Sequence, residues 1–103
     1  MLVINRFRSE TPDATGVLIG VGALADVYRA AAGNESVELV QNLDEPELVA
    51  LVTRWTNVGS YRRALFGFAA QQAFVGLLAW MVDEPSAYLD PTDVGENIPR
   101  SNN

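Results

Sequence analysis

Leu2–Arg8 alternates, with Val3, Asn5 and Phe7 on one face and Leu2, Ile4, Arg6 and Arg8 on the other, which predicts a strand. Asn5 interrupts an otherwise apolar face, and a buried amide has to find hydrogen-bond partners or water. It is either tied to backbone or a polar group in a pocket. From Pro12 or Asp13 the spacing turns helical: Val17, Val21, Leu24, Val27, Tyr28 and Ala31 form a stripe that carries the helix to about Ala32. Gly16, Gly20 and Gly22 lie inside it, each costing up to about 1 kcal/mol, a sign of close packing or of a frayed first turn. No strand feeds directly into these glycines, so they do not read as a phosphate loop. Asp26 and Arg29 pair on the outer face, and Gly33-Asn34 is a stop signal.

A second strand is expected over 36–42, then a tight turn carrying Asp44, Glu45 and Glu47, an acidic tip that reads as solvated. The run Leu48–Trp55 is a strand with apolar residues on both faces. It passes almost at once into a helix, with Asn57 as N-cap and Tyr61, Ala64 and Leu65 at helical spacing. That helix runs over 58–66 and breaks near Gly67. A further helix over 68–81 is apolar nearly all round, polar only at Gln71 and Gln72, so it must be covered on more than one side or line an apolar cavity. The last strand, 82–89, starts or bends at Pro85, since proline in a strand belongs at an edge or a bulge. Asp83 and Glu84 point to opposite faces of an extended chain and make a poor acid–base pair. Residues 1–89 thus form one domain and 90–103 a C-terminal tail with the Pro, Gly, Asn and Asp content of a disordered segment. The order β-α-β-β-α-β predicts an α+β, ferredoxin-like fold: one four-stranded antiparallel sheet with helices on one face.

Charge and composition narrow the functions. The net charge is −6, from seven arginines, no lysine and thirteen acids, which argues against nucleic acid as a partner. No apolar run approaches the length that crosses a bilayer, and the opening MLVINRFR lacks the basic region and long apolar stretch of a secretory signal. Without cysteine there is no disulfide or thiolate chemistry, and a cytoplasmic setting is expected. Histidine is absent too, which removes the usual general base, the commonest metal ligand and the usual axial ligand of haem iron.

Three stretches carry a resemblance. Leu48-Val49-Ala50-Leu51-Val52-Thr53-Arg54-Trp55, Val58-Gly59-Ser60-Tyr61-Arg62-Arg63-Ala64-Leu65 and Asp83-Glu84-Pro85-Ser86-Ala87-Tyr88, with the opening Leu2 to Arg8, resemble the antibiotic biosynthesis monooxygenase (ABM) family over residues 1–89. The resemblance implies a homodimer in which two sheets pack face to face as a dimeric α+β barrel. The strand from Leu48 fits that expectation, because one helical layer covers only one of its two apolar faces.

The family includes cofactor-independent oxygenases of polycyclic phenolic compounds and haem-degrading enzymes. The haem degraders use an Asn on the first strand, which Asn5 matches, and a Trp and a His on the last helices. This chain has Ala64 and Phe74 in the corresponding stretch, so haem degradation by that arrangement is not expected. What remains implied is a monooxygenase without cofactor or metal, acting on a small aromatic or quinone-like compound. Asn5 is its catalytic residue, holding a carbonyl or oxyanion; Trp55, Phe74 and Trp80 shape the pocket, and Tyr61 or Arg54 adds a polar contact. Trp55 also reads as a plain core anchor at the strand end, and Arg62 and Arg63 as solvent-facing. The alternative is a non-catalytic dimeric domain that binds an apolar small molecule or a protein partner, supported by the shortage of acid–base residues. In that reading the acidic tail is a further docking segment.

Overall fold

The alternation of the first strand is realised as β1 (Leu2–Arg8), with Val3, Asn5 and Phe7 buried on one face. The computed structural model describes residues 1–97. After β1 come α1 (Thr15–Arg29), β2 (Asn34–Gln41), β3 (Leu48–Trp55), α2 (Val58–Leu65), α3 (Phe68–Val75), β4 (Ala87–Tyr88) and a single helical turn, α4 (Val94–Asn97). The strands form one antiparallel sheet in the order β2-β3-β1-β4, the α+β ferredoxin-like arrangement. Val3 and Phe7 of β1 and Val49, Leu51 and Trp55 of β3 meet Val17, Val21, Leu24 and Tyr28 of α1 in the buried core. The opposite face carries Ile4, Val40, Ala50 and Val52, none of which belongs to that core.

Most boundaries follow the sequence pattern, and the departures have local causes. The long helix starts at Thr15 rather than at 12 or 13, because the Asp13 carboxylate accepts from both the backbone N–H and the hydroxyl of Thr15 and holds a turn there. It ends at Arg29 rather than near 32, and Gly33, at φ 86°, reverses the chain. The Gly33 carbonyl accepts from the Thr56 N–H at 2.9 Å and the Thr56 hydroxyl at 2.8 Å, so β2 pairs with β3 from Asn34 on. Asn57 caps α2 as expected, its Oδ1 accepting from the Ser60 N–H at 2.8 Å.

The helix expected over 68–81 ends at Val75. Beyond Gly76 the chain tightens into turns, with Leu77 N–H bonded to Phe74 O and Trp80 N–H to Leu77 O. The sheet demands this early stop: Trp80 O must accept from Arg8 N–H, and Met81 pairs with Phe7. The last strand is correspondingly broken. Met81 bridges to β1 alone, the chain bulges through 83–85, and only Ala87 and Tyr88 form β4 proper. In the expected tail the Asp90 carboxylate closes a turn on Thr92 ahead of α4; residues 98–103 lie outside the described residues.

Two of the three helix glycines are packing positions. A Cβ on Gly20 would come within 2.8 Å of the buried Leu77 side chain, and one on Gly16 would touch the Trp80 ring at 3.8 Å. Around Gly22 there is open space. Gly22→Ala is therefore expected to raise stability by about 0.5–1 kcal/mol, the ordinary helix gain. Gly33→Ala is expected to lower it by about 2–4 kcal/mol, since the positive φ opposes a side chain and the new methyl would collide with Ser60. Urea unfolding of the two variants checks both signs.

Tyr28 is fully buried, and its hydroxyl has no hydrogen-bond partner among the described residues. Burial pushes this phenol well above its usual range, with the neighbouring Tyr61 adding to the shift. A raised folded-state value means that stability is flat up to about pH 10, where an unfolded tyrosine ionises, and falls above it. Tyr28→Phe removes an unsatisfied polar atom and keeps the ring. It is expected to gain up to about 1–3 kcal/mol at neutral pH and to lose less stability above pH 10, measured by urea unfolding across pH. A destabilised variant would show that the hydroxyl has a partner.

Candidate functional site

The sheet is interrupted next to Asn5. Below it, Arg8 N–H bonds to Trp80 O and Val82 N–H to Arg6 O; above it, Ile4 N–H bonds to Ser86 O and Val3 pairs with Ala87. Continuing the Phe7–Met81 pairing would set residue 85 opposite Val3, but Ala87 stands there, so this edge carries two extra residues. Pro85 lies in the excess, where its missing N–H costs the ladder nothing. The bulge takes away the regular neighbour of Asn5 on the β4 side, while Leu51 of β3 stays paired with it on the other.

A cleft of about 300 Å³ opens there, within the size range of small-ligand pockets. β1 contributes Asn5, α2 contributes Tyr61 and Leu65, and α3 contributes Gln71 and Phe74. Leu78 and Met81 come from the turn and bridge after α3, and Ser86 from the far side of the bulge. The walls are chiefly apolar. Gln71 is engaged, its Nε2 donating to Leu65 O at 2.7 Å across the α2–α3 junction.

The other polar residues of the lining are Asn5, Tyr61 and Ser86. Asn5 is buried at 7 % exposure, and its Oδ1 has no hydrogen-bond partner among the described residues. An orphaned acceptor of this kind costs about 1–3 kcal/mol until something donates to it. The Tyr61 phenol is raised above its usual range by burial, while a hydrogen bond with the Ser86 side chain and the nearby Arg62 charge pull the other way. It is therefore protonated at neutral pH and available as a donor.

The arrangement can hold a small, largely apolar molecule and offer it one acceptor and one or two hydroxyls. Among the described residues no group of three or more Asp or Glu is placed to hold a metal ion. Nor is any helix among them long and apolar enough to cross a membrane.

Of the residues singled out by sequence, Asn5, Tyr61 and Phe74 line this cleft together. Trp55 does not: it is sealed in the core at 1 % exposure, its indole N–H donating to the Thr53 hydroxyl at 2.9 Å. It stands behind the wall, its ring 5.7 Å from that of Tyr61 and edge-on to Tyr28 at 5.2 Å. Trp80 is also absent from the lining and packs against α1 at Gly16 and Gly20. Arg54 is exposed on the sheet face opposite Thr53 and Trp55, away from the cleft. Ser86, Leu65, Leu78 and Met81 went unnoticed in the sequence. Glu84-Pro85 did signal a bulge, which re-aims the residue that follows it; the apolar liners carried no mark separating them from core.

A second cavity, of about 310 Å³, lies on the other face, between Arg6, Leu48 and Ala50 and the β2–β3 turn. The Arg6 charge there is already met by Glu84.

No family model and no curated protein sequence matches the chain. Solved structures do. The cofactor-independent oxygenase SnoaB from Streptomyces nogalater is similar with a TM-score of 0.70 and 19 % identity, over 87 % of this chain and 94 % of that one. A Nitrosomonas europaea protein provisionally described as an antibiotic biosynthesis monooxygenase gives 0.72 at 14 % identity, over 84 % and 82 %. One from Chloroflexus aurantiacus J-10-fl, described in the same way, gives 0.64 at 21 % identity, over 81 % and 84 %. At these identities the likeness shows the fold: the chain has the architecture on which ABM-type proteins are built.

Proposed function

We propose that the chain is a cofactor-independent monooxygenase of the ABM type, acting on a small aromatic or quinone-like compound as a cytoplasmic homodimer. The observation that carries the reading is the buried Oδ1 of Asn5, without a hydrogen-bond partner among the described residues, in the lining of a chiefly apolar cleft that Tyr61 also lines. An electron-rich phenol or enol seated there supplies the O–H that this acceptor lacks. As the substrate gives up this proton to solvent, its oxygen is stabilised by the N–H of the Asn5 amide and by the Tyr61 hydroxyl, and its carbon gives electrons to dioxygen. The overall change takes a ring CH2 and O2 to a ring C=O and water, with substrate carbon oxidised and dioxygen reduced. No side chain changes redox state. The fold likeness to SnoaB adds support from outside the site.

The test is oxygen uptake with anthrone by the parent, Asn5→Ala and Tyr61→Phe, each checked for folding by circular dichroism. Asn5→Ala is expected to lower the rate roughly 10²-fold, the usual loss when one preorganised polar contact to a developing anion is removed. Equal rates in parent and Asn5→Ala would remove Asn5 from the mechanism. Stoichiometric binding of aromatic compounds without oxygen uptake would favour the non-catalytic binding domain instead. The near absence of acid–base groups in the cleft walls gives that second reading its footing.

The dimer is supported by the sheet face of Ile4, Val40, Ala50 and Val52, which lies outside the buried core and matches the need of an apolar sheet face for a second layer. Light scattering after gel filtration is expected to give twice the 11.2 kDa chain mass, and Val52→Asp the single mass. A monomeric parent would overturn the assembly.

A further inference from the structure

Glu84 lines neither the cleft nor the core, yet it makes two short polar contacts to β1. Its carboxylate takes Arg6 in a fork: Nε donates to one oxygen at 2.6 Å and Nη2 to the other at 2.5 Å. The Glu84 side chain is 26 % exposed and that of Arg6 40 %.

The pair sits at an informative place. Arg6 follows Asn5 on β1, so the two side chains leave the strand on opposite faces. Glu84 lies in the middle of the bulge, two residues before Ser86. The ladder does not hold this stretch. Val82 N–H to Arg6 O is the last backbone bond before it, and Ile4 N–H to Ser86 O the first after it. Within the bulge Pro85 has no N–H to give, and its carbonyl accepts only a long 3.4 Å bond from the Tyr88 hydroxyl. The fork is therefore the firm tie between the bulge and β1. Where the bulge sits decides where Ser86 sits, and Ser86 lines the same cleft as Tyr61 and Asn5.

We propose that the Arg6–Glu84 ion pair is a positioning device, which acts across the sheet to hold Ser86, and with it Tyr61, in register with Asn5 in the cleft. Arg6 and Glu84 touch no ligand in this scheme. Their role is to fix a segment that carries two residues more than the pairing needs. The proposal rests on the cleft being the binding site and does not depend on turnover.

The test is NMR of the isotopically labelled full chain as Glu84→Gln, Arg6→Met and Arg6→Lys. Glu84→Gln and Arg6→Met are expected to shift the Ser86 amide, the Tyr61 ring and the Asn5 side-chain amide signals, and to leave Val21 and Leu24 in the α1 core in place. Arg6→Lys keeps the charge and loses the fork, and is expected to restore part of the displacement. Unmoved Ser86, Tyr61 and Asn5 signals in Glu84→Gln would overturn the proposal. So would equal movement of Val21 and Leu24, which would make the pair a general stabiliser. Should Arg6→Met fail to fold, Glu84→Gln alone decides. A chain without oxygenase activity would still give one of these results, so the two readings fail separately.

Discussion

The rest of the molecule depends on how the Trp55 indole is buried. Trp55 is the last residue of β3, and its backbone N–H bonds to Met1 O while its carbonyl accepts from the chain's amino terminus. The two central strands are therefore locked in register at this residue. The side chain then joins the layers, meeting Tyr28 of α1 edge-on and Tyr61 of α2 at a tilt, the geometries aromatic rings prefer. A buried indole N–H would oppose all this if left unpaired, and Thr53, two residues back on the same strand face and itself fully buried, accepts its hydrogen bond. Two residues after the tryptophan, Asn57 starts α2. The position of Tyr61 is thus set by a short chain of local events, each fixed by the one before.

On the other side of the cleft the fold uses the opposite device, a strand that does not fit. The edge segment from Met81 to β4 is too long for its pairing with β1 by two residues, and the excess is thrown out next to Asn5. A regular strand would have covered the amide with a cross-strand neighbour. The bulge leaves Oδ1 buried without a donor among the described residues and brings Ser86 round to Tyr61. An edge strand tolerates this because no further strand needs to pair with it. One rigid wall and one irregular wall together make the opening.

How much of this was legible in the sequence follows from how local each cause is. The faces of β1, the span of β3, the Asn57 cap and the break at Gly67 could all be read because alternation, a capping side chain and a glycine act within a few residues. The end of α3 could not. Gly76 caps it, but as an isolated glycine it is no stronger a stop signal than Gly16, Gly20 and Gly22 inside α1; the stop is imposed by Arg8 and Phe7, far earlier in the chain, which need Trp80 and Met81 as partners. For the site, Asn5 stood out as a polar residue on an apolar face, and Tyr61 and Phe74 as large side chains near a junction. Trp55 and Trp80 read the same way and turned out to be packing residues, because hydrophobic size marks burial and not which side of a cavity a ring is on. Ser86 was invisible for the converse reason: it is small, polar and placed by a bulge of unknown length.

The polar content of the cleft limits what it can do. Among the described residues the one titratable side chain in its walls is Tyr61, and burial keeps that phenol protonated, so at neutral pH these walls offer hydrogen bonds rather than a base. Proton removal from a bound compound must then come from the compound's own acidity, increased where its anion is better solvated by the cleft than by water. An amide and a phenol in an apolar surround favour a delocalised anion most, since a compact one loses more hydration than two donors return. Catalysis of this kind depends on placement more than on the identity of any one group. The cleft would therefore be sensitive to small displacements of its walls, and a fork of hydrogen bonds outside the cleft, holding the irregular wall still, is the kind of support such a site requires.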